Sequence, residues 1–172
     1  MPEPPKASLP ESPPVKDKIF IVHGHDSTAR EQLELIIHKL GLEPYVLQNG
    51  SNGSLTIIEA LEKEICTQDN SARFGIVLLT PDDMGYAKSA GEKEIQPRAR
   101  QNVVFEMGML IAALTRKNVA ILKKQSLEIP SDASGIIYIP FNDHVKETLP
   151  QLVKHLQSSG FVFKAEALTN VY

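Results

Sequence analysis

"KIFIVHGHDSTAREQLELIIHKLG", Lys18–Gly41, decides the fold. Its first six residues, "KIFIVH", are a short apolar run rather than an alternating one. Such a run, ended by a glycine, reads as a strand covered on both faces. Gly24 permits a tight turn, and Ser27 or Asp26 can accept a hydrogen bond from the free N–H groups of a following helix. Leu33, Ile36, Ile37 and Leu40 then recur at helical spacing, with Gly41 as the stop. A doubly covered strand followed by an amphipathic helix is the first half of a strand–helix–strand unit, which points to a parallel sheet.

The same alternation continues outward along the chain. "PYVL" (44–47) is a short second strand, "QNGSNGS" (48–54) a loop and "LTIIEALEKEI" (55–65) a helix. "FGIVLL" (74–79) is a fully apolar third strand, and "TPDDMGYAKSAGEKEIQ" (80–96) reads as a long polar loop. "PRARQNVVFEMGMLIAAL" (97–114) is a helix, with Pro97 suited to its first turn. "NVAIL" (118–122) and "IIYIP" (136–140) are the last two strands, and an amphipathic helix covers roughly 146–159. The expected architecture is α/β, with a mostly parallel central sheet of about five strands and helices on both faces. Functional loops then gather at the carboxyl ends of the strands: "HGHDS", "QNGSNGS" and "TPDDMG".

At the chain ends, "MPEPPKASLPESPP" holds half of the twelve prolines and almost no large apolar residue. Residues 1–16 are therefore expected to be an unfolded tail or linker. The domain is expected over 17–163, with 164–172 a loosely held C-terminal end.

Composition narrows the function classes. At 172 residues, 42% hydrophobic and 23% charged, the chain matches a soluble globular domain. A net charge of −3 argues against nucleic acid or an anionic membrane as partner. The single cysteine, Cys66, leaves no intrachain disulfide and no cysteine-based zinc site, and a reduced, cytoplasmic setting is expected. His23 and His25 have a metal-like spacing, but no second cluster completes a site, so no metal is expected.

Candidate site residues follow from the strand edges. His25 and Asp26 lie after the first strand, and Asp82 and Asp83 after the third. For the two aspartates, turn formation is the competing reading. "QNGSNGS" reads equally as a surface loop or a lid over the crevice. In the 97–114 helix, Val103, Met107, Leu110, Ile111 and Leu114 make a sheet-facing stripe, projected at about 100° per residue. Glu106 falls about a quarter turn aside, on a flank with Ala99, Asn102 and Ala113. Phe105 and Met109 lie nearly opposite the stripe, so another element or subunit is expected to cover them. For Glu106 itself the helix pattern leaves two readings: a boundary acid paired with Arg98, Arg100 or a lysine, or a functional carboxylate.

Five segments in order, "FIVHGHD", "TIIEALE", "VLLTPDDMG", "RARQNVVFEMG" and "EIPSD…GIIYIP", resemble the bacterial TIR-like domain of anti-phage signalling systems. That family occurs fused to STING-type cyclic-dinucleotide sensors and in cyclic-pyrimidine effectors. The resemblance covers about residues 18 to 160, and "RARQNVVFE" is its most specific part. It implies a flavodoxin-like TIR fold and cleavage of NAD+ as substrate, without a cofactor, to nicotinamide and an ADP-ribose product. Glu106 matches the catalytic glutamate. The 48–54 loop matches the loop that contacts a neighbouring subunit, and homo-oligomers or filaments are implied for the active state. His25, Asp26, Asp82, Asp83, Arg98 and Asn102 are the candidate substrate contacts, by their position at the strand edge. A cyclic-nucleotide sensor domain or separate activator is expected to supply the trigger. Two alternatives stay open: a TIR interaction or nucleotide-binding module without turnover, and a nucleoside 2-deoxyribosyltransferase-like enzyme.

Overall fold

The computed structural model describes residues 18–47, 58–59, 62, 74–124, 127–129 and 135–171. The Pro-rich tail, the "QNGSNGS" loop, Cys66 and most of the expected 55–65 helix lie outside these; Ile58, Glu59 and Glu62 are helical. Among the described residues, five parallel strands form the central sheet. They are β1 (Lys18–His23), β2 (Glu43–Val46), β3 (Phe74–Leu79), β6 (Val119–Lys124) and β7 (Tyr138–Phe141), in spatial order β2-β1-β3-β6-β7. Two further strands, β4 (Asp83–Gly85) and β5 (Gln96–Arg98), pair antiparallel as a separate ribbon.

Strand periodicity sorts the core into two layers. Ile19, Ile21, Ile76, Leu78, Ala120 and Leu122 face one way. They pack against α1 (Ser27–Lys39), α3 (Leu149–Ser158) and α4 (Ala165–Val171). Phe20, Val22, Val77, Leu79 and Ile121 face the other way, onto α2 (Gln101–Leu114). Every residue of β3 is buried, as expected of a central parallel strand with helices on both faces. The α2 stripe of Val103, Met107, Leu110 and Leu114 is buried on the sheet. Each of these side chains contributes about 1.5–3 kcal/mol by leaving water. Leu110 approaches β3 at Gly75, where a Cβ would come within 2.8 Å of Leu110 Cγ.

Several local expectations are corrected. The 80–96 stretch is not all loop, and α2 starts at Gln101 rather than at Pro97. Pro97 sits in β5 opposite Met84; a two-stranded ribbon tolerates its missing N–H, and its carbonyl accepts from Glu128 N at 3.0 Å. Asp26, not Ser27, caps α1. The helix expected from 146 begins at Leu149, preceded by a 3-10 turn over Val145–Thr148. Pro150 has no N–H to give Lys146, so the α-helical pattern cannot extend further back. Residues 165–171 are a helix whose Val171 is buried in the first core layer, so that segment of the end is not loosely held. The last strand also runs from Tyr138 to Phe141, leaving Ile137 69% exposed beside it.

Candidate functional site

The sheet order reverses direction at β1, whose neighbours are β2 and β3. In parallel α/β sheets the crevice lies at such a switch point, outside the carboxyl ends of the strands. Here that edge carries Gly24–His25–Asp26 after β1 and Thr80–Pro81–Asp82 after β3.

The first loop is tied to three other elements. Asp26 Oδ1 accepts from Ala29 N at 2.9 Å, capping α1, and Asp26 Oδ2 pairs with Lys124 Nζ at 3.3 Å at the end of β6. Asp82 Oδ2 accepts from His25 N at 3.1 Å, while Asp82 Oδ1 accepts from buried Thr80 Oγ1 at 3.0 Å. Gly24 makes this approach possible, because a Cβ there would lie 2.8 Å from Asp82 Cγ. His25 Nε2 meets a guanidinium nitrogen of Arg100, the residue that precedes α2. A guanidinium only donates, so Nε2 is the acceptor in that contact. His23 Nδ1 donates to Gly24 O at 2.7 Å, and burial lowers the His23 pKa.

Glu106 lies one and a half turns into α2. It is 7% exposed, and no described residue donates a hydrogen bond to it or pairs with it within 4 Å. Burial pushes its pKa up to about 7, opposed by the positive charge of Arg100. The carboxylate is thus desolvated and unneutralised, a state that costs free energy unless a ligand answers it. The first turn of α2 adds a favourable field for anions. Its N-cap, Arg100, makes no side-chain capping bond, so the free N–H groups keep their partial positive charge.

The geometry divides the expected site residues. His25, Asp26 and Asp82 share the loop cluster at the switch point, and Asn102 is exposed in the first turn of α2. Arg98 and Asp83 do not join them. They pair across the β4–β5 ribbon, and Arg98 Nε binds Glu128 Oε2 at 2.6 Å. A cavity of about 320 Å³ beside Arg98, Gln101 and Val104 lies on the flank of α2 opposite Glu106. The pairing of Glu106 with Arg98 or Arg100 is therefore not made: Arg98 is engaged by Glu128, and Arg100 reaches His25 instead. Two residues escaped the sequence reading as site members. Arg100 was masked by a helix start placed too early. Lys124 has no local signal, because it meets Asp26 only through the sheet.

The family model described as "CAP12/Pycsar effector protein, TIR domain" matches residues 18–143. The protein YuaY of Escherichia coli (strain K12) is 43% identical over 131 residues, 76% of this chain and 42% of YuaY. Protein tirC of Dictyostelium discoideum is 38% identical over 138 residues, 76% of this chain and 67% of tirC. The Pycsar effector protein BcPycTIR of Burkholderia cepacia is 28% identical over 115 residues, 61% of this chain and 35% of that protein. The chain thus spans less than half the length of YuaY and of BcPycTIR. No described helix is long and apolar enough to cross a membrane.

Proposed function

Because the chain belongs to the TIR-domain family of CAP12/Pycsar effectors, we propose that it is an NAD+ glycohydrolase of anti-phage defence with Glu106 as the catalytic carboxylate. The observation that carries this reading is the buried Glu106 carboxylate, which no described residue neutralises and which feels the charge of Arg100, the residue that meets His25. A structural salt bridge would have left it paired.

The chemistry needs one such group. The bond from ribose C1′ to the nicotinamide nitrogen breaks, and its electron pair neutralises the pyridinium ring. Nicotinamide leaves without being protonated. The sugar is left with oxocarbenium character, as in glycoside hydrolysis, and an anionic carboxylate beneath it stabilises that charge. Water then adds to C1′ and releases a proton, giving ADP-ribose. A partly apolar wall strengthens the electrostatic term by excluding water. The uncapped start of α2, with Arg100 and Asn102, suits the substrate pyrophosphate. His25 holds Arg100 in place across the crevice. Asp26 and Asp82 are assigned to shaping the loop, since their carboxylates already cap α1, bind Lys124 and hold His25. Arg98 and Asp83 sit farther along the ribbon and are assigned no direct contact.

Assembly is part of the proposal. Of the pair expected to need covering, Phe105 is 64% exposed whereas Met109 is partly buried against the core; a second copy would cover Phe105 and the 59% exposed Met84. The deciding assay compares NAD+ consumption by the assembled protein and by Glu106→Gln. Loss of about 100-fold or more in turnover is expected for the variant, the range for removing a transition-state charge contact. Equal turnover by both proteins would exclude Glu106 as the catalytic group.

A further inference from the structure

The amino ends of β6 and β7 carry a groove of about 690 Å³, on the sheet edge opposite the loop cluster of Gly24, His25 and Asp82. Its volume lies in the range of small-molecule sites. The floor is apolar, formed by Val119 and Ile139, with exposed Ile137 as one wall. Three cations stand around it: Arg116 and Lys117 from the turn after α2, and Lys154 from α3. Among the described residues no ion pair engages any of the three.

The cationic turn is held in place rather than left loose. Lys117 O accepts from His155 Nε2 at 2.8 Å and from Ser159 Oγ at 3.0 Å. Asn118 Nδ2 donates to Leu114 O at 3.1 Å. Thr115, just before the turn, has φ 67° and ψ 151°, the only positive φ among the described non-glycine residues. A backbone so placed is strained for a residue with a Cβ and persists only where its surroundings impose it. Across the groove, Gly135 has φ 92°, and a Cβ there would lie 3.2 Å from the Arg116 guanidinium. The arginine head thus lies against the backbone that leads into β7. A preset guanidinium and two ammonium groups around an apolar floor match a doubly charged anion attached to a flat, poorly solvated body.

We propose that this groove is a second ligand site that takes a phosphate monoester carried on an apolar ring system, the chemistry of a nucleotide. The phosphate meets Arg116, Lys117 and Lys154, and the ring lies on Val119, Ile137 and Ile139. The site is separate from Glu106 and does not depend on its chemistry.

The test is a methyl and amide NMR titration of the whole chain with AMP, with inorganic phosphate and adenosine as separate arms. AMP is expected to shift the Ile137 and Ile139 methyls and the Gly135 amide saturably. Each of the exposed-residue variants Lys154→Glu and Lys117→Glu is expected to weaken that binding about tenfold or more, as loss of a charge-assisted contact does. Phosphate alone and adenosine alone are expected to bind at least about tenfold more weakly than AMP. Three results would overturn the proposal. AMP shifts could be confined to residues around His25 and Glu106. The affinity could be unchanged in both lysine variants. Inorganic phosphate could bind as tightly as AMP, which would remove the apolar body from the ligand.

Discussion

Glu106 and Arg100 form a pair in charge without forming one in contact. Arg100 lowers the Glu106 pKa, yet burial outweighs it and pushes the carboxyl up to about 7, well above the ordinary carboxylate range. Only the ionised carboxylate stabilises a developing cation. The NAD+ cleavage rate is therefore expected to rise tenfold per pH unit below about 7 and to level off above it. Arg100→Gln removes the opposing charge, so the rising limb should move to higher pH; an unmoved limb would remove Arg100 from this role. The same group makes a stability prediction. A carboxyl whose folded pKa is raised adds stability below its unfolded value, near 4.5, and loses it as pH climbs through about 7. Glu106→Gln lacks this loss. Urea melts at pH 5 and pH 8 should show wild type losing about 1–3 kcal/mol more than the variant.

At the scale of elements, the position of Glu106 depends on how closely α2 packs against β3. Gly75 lets Leu110 approach the strand, and any side chain there would displace the Leu110 side chain or the helix that carries it. Gly75→Ala is expected to cost about 1–3 kcal/mol by overpacking. It should also lower NAD+ turnover more than substrate affinity, because a displaced carboxylate is misplaced in the transition state. Normal turnover with reduced thermal stability would mean that the site tolerates the shift. The first loop has a comparable dependence on its neighbours. Its shape rests on Asp82 after β3, Lys124 at the end of β6 and Arg100 just before α2, and none of these is near it in sequence.

For the whole molecule, the exposed Phe105 and Met84 suggest that turnover is tied to assembly. NAD+ consumption per protein molecule is then expected to climb steeply above a threshold protein concentration. Phe105→Asp should raise that threshold while changing folding stability by about 0.5 kcal/mol or less, as for other exposed substitutions. Specific activity independent of concentration would separate the catalysis from association. The proposed substrate site and the cationic groove belong to opposite edges of one sheet, so ligands at the two ends need not compete for space.

The order of strands and helices was legible from the sequence because each core element carries its own periodicity. "FGIVLL", six apolar residues bounded by polar segments, reads as a doubly covered strand, and the α2 stripe sets which helix face meets the sheet. Glu106 was legible as an acid beside that stripe, and "RARQNVVFE" drew attention to it. The ribbon of β4 and β5 was not legible: three-residue strands have no measurable period, and Pro97 is as suited to a helix start as to a ribbon. The α4 helix was missed for a related reason. Seven residues gain too little from local hydrogen bonds to be helical alone, and burial of Val171 in the core layer that contains α1 supplies the difference. Only the tertiary structure decided that Arg98 pairs with Glu128, that Arg100 reaches His25, and that Glu106 has no partner among the described residues. Periodicity records which side of an element is dry. It does not record which charges from remote segments meet, because that depends on how the loops at the sheet edge come together in three dimensions.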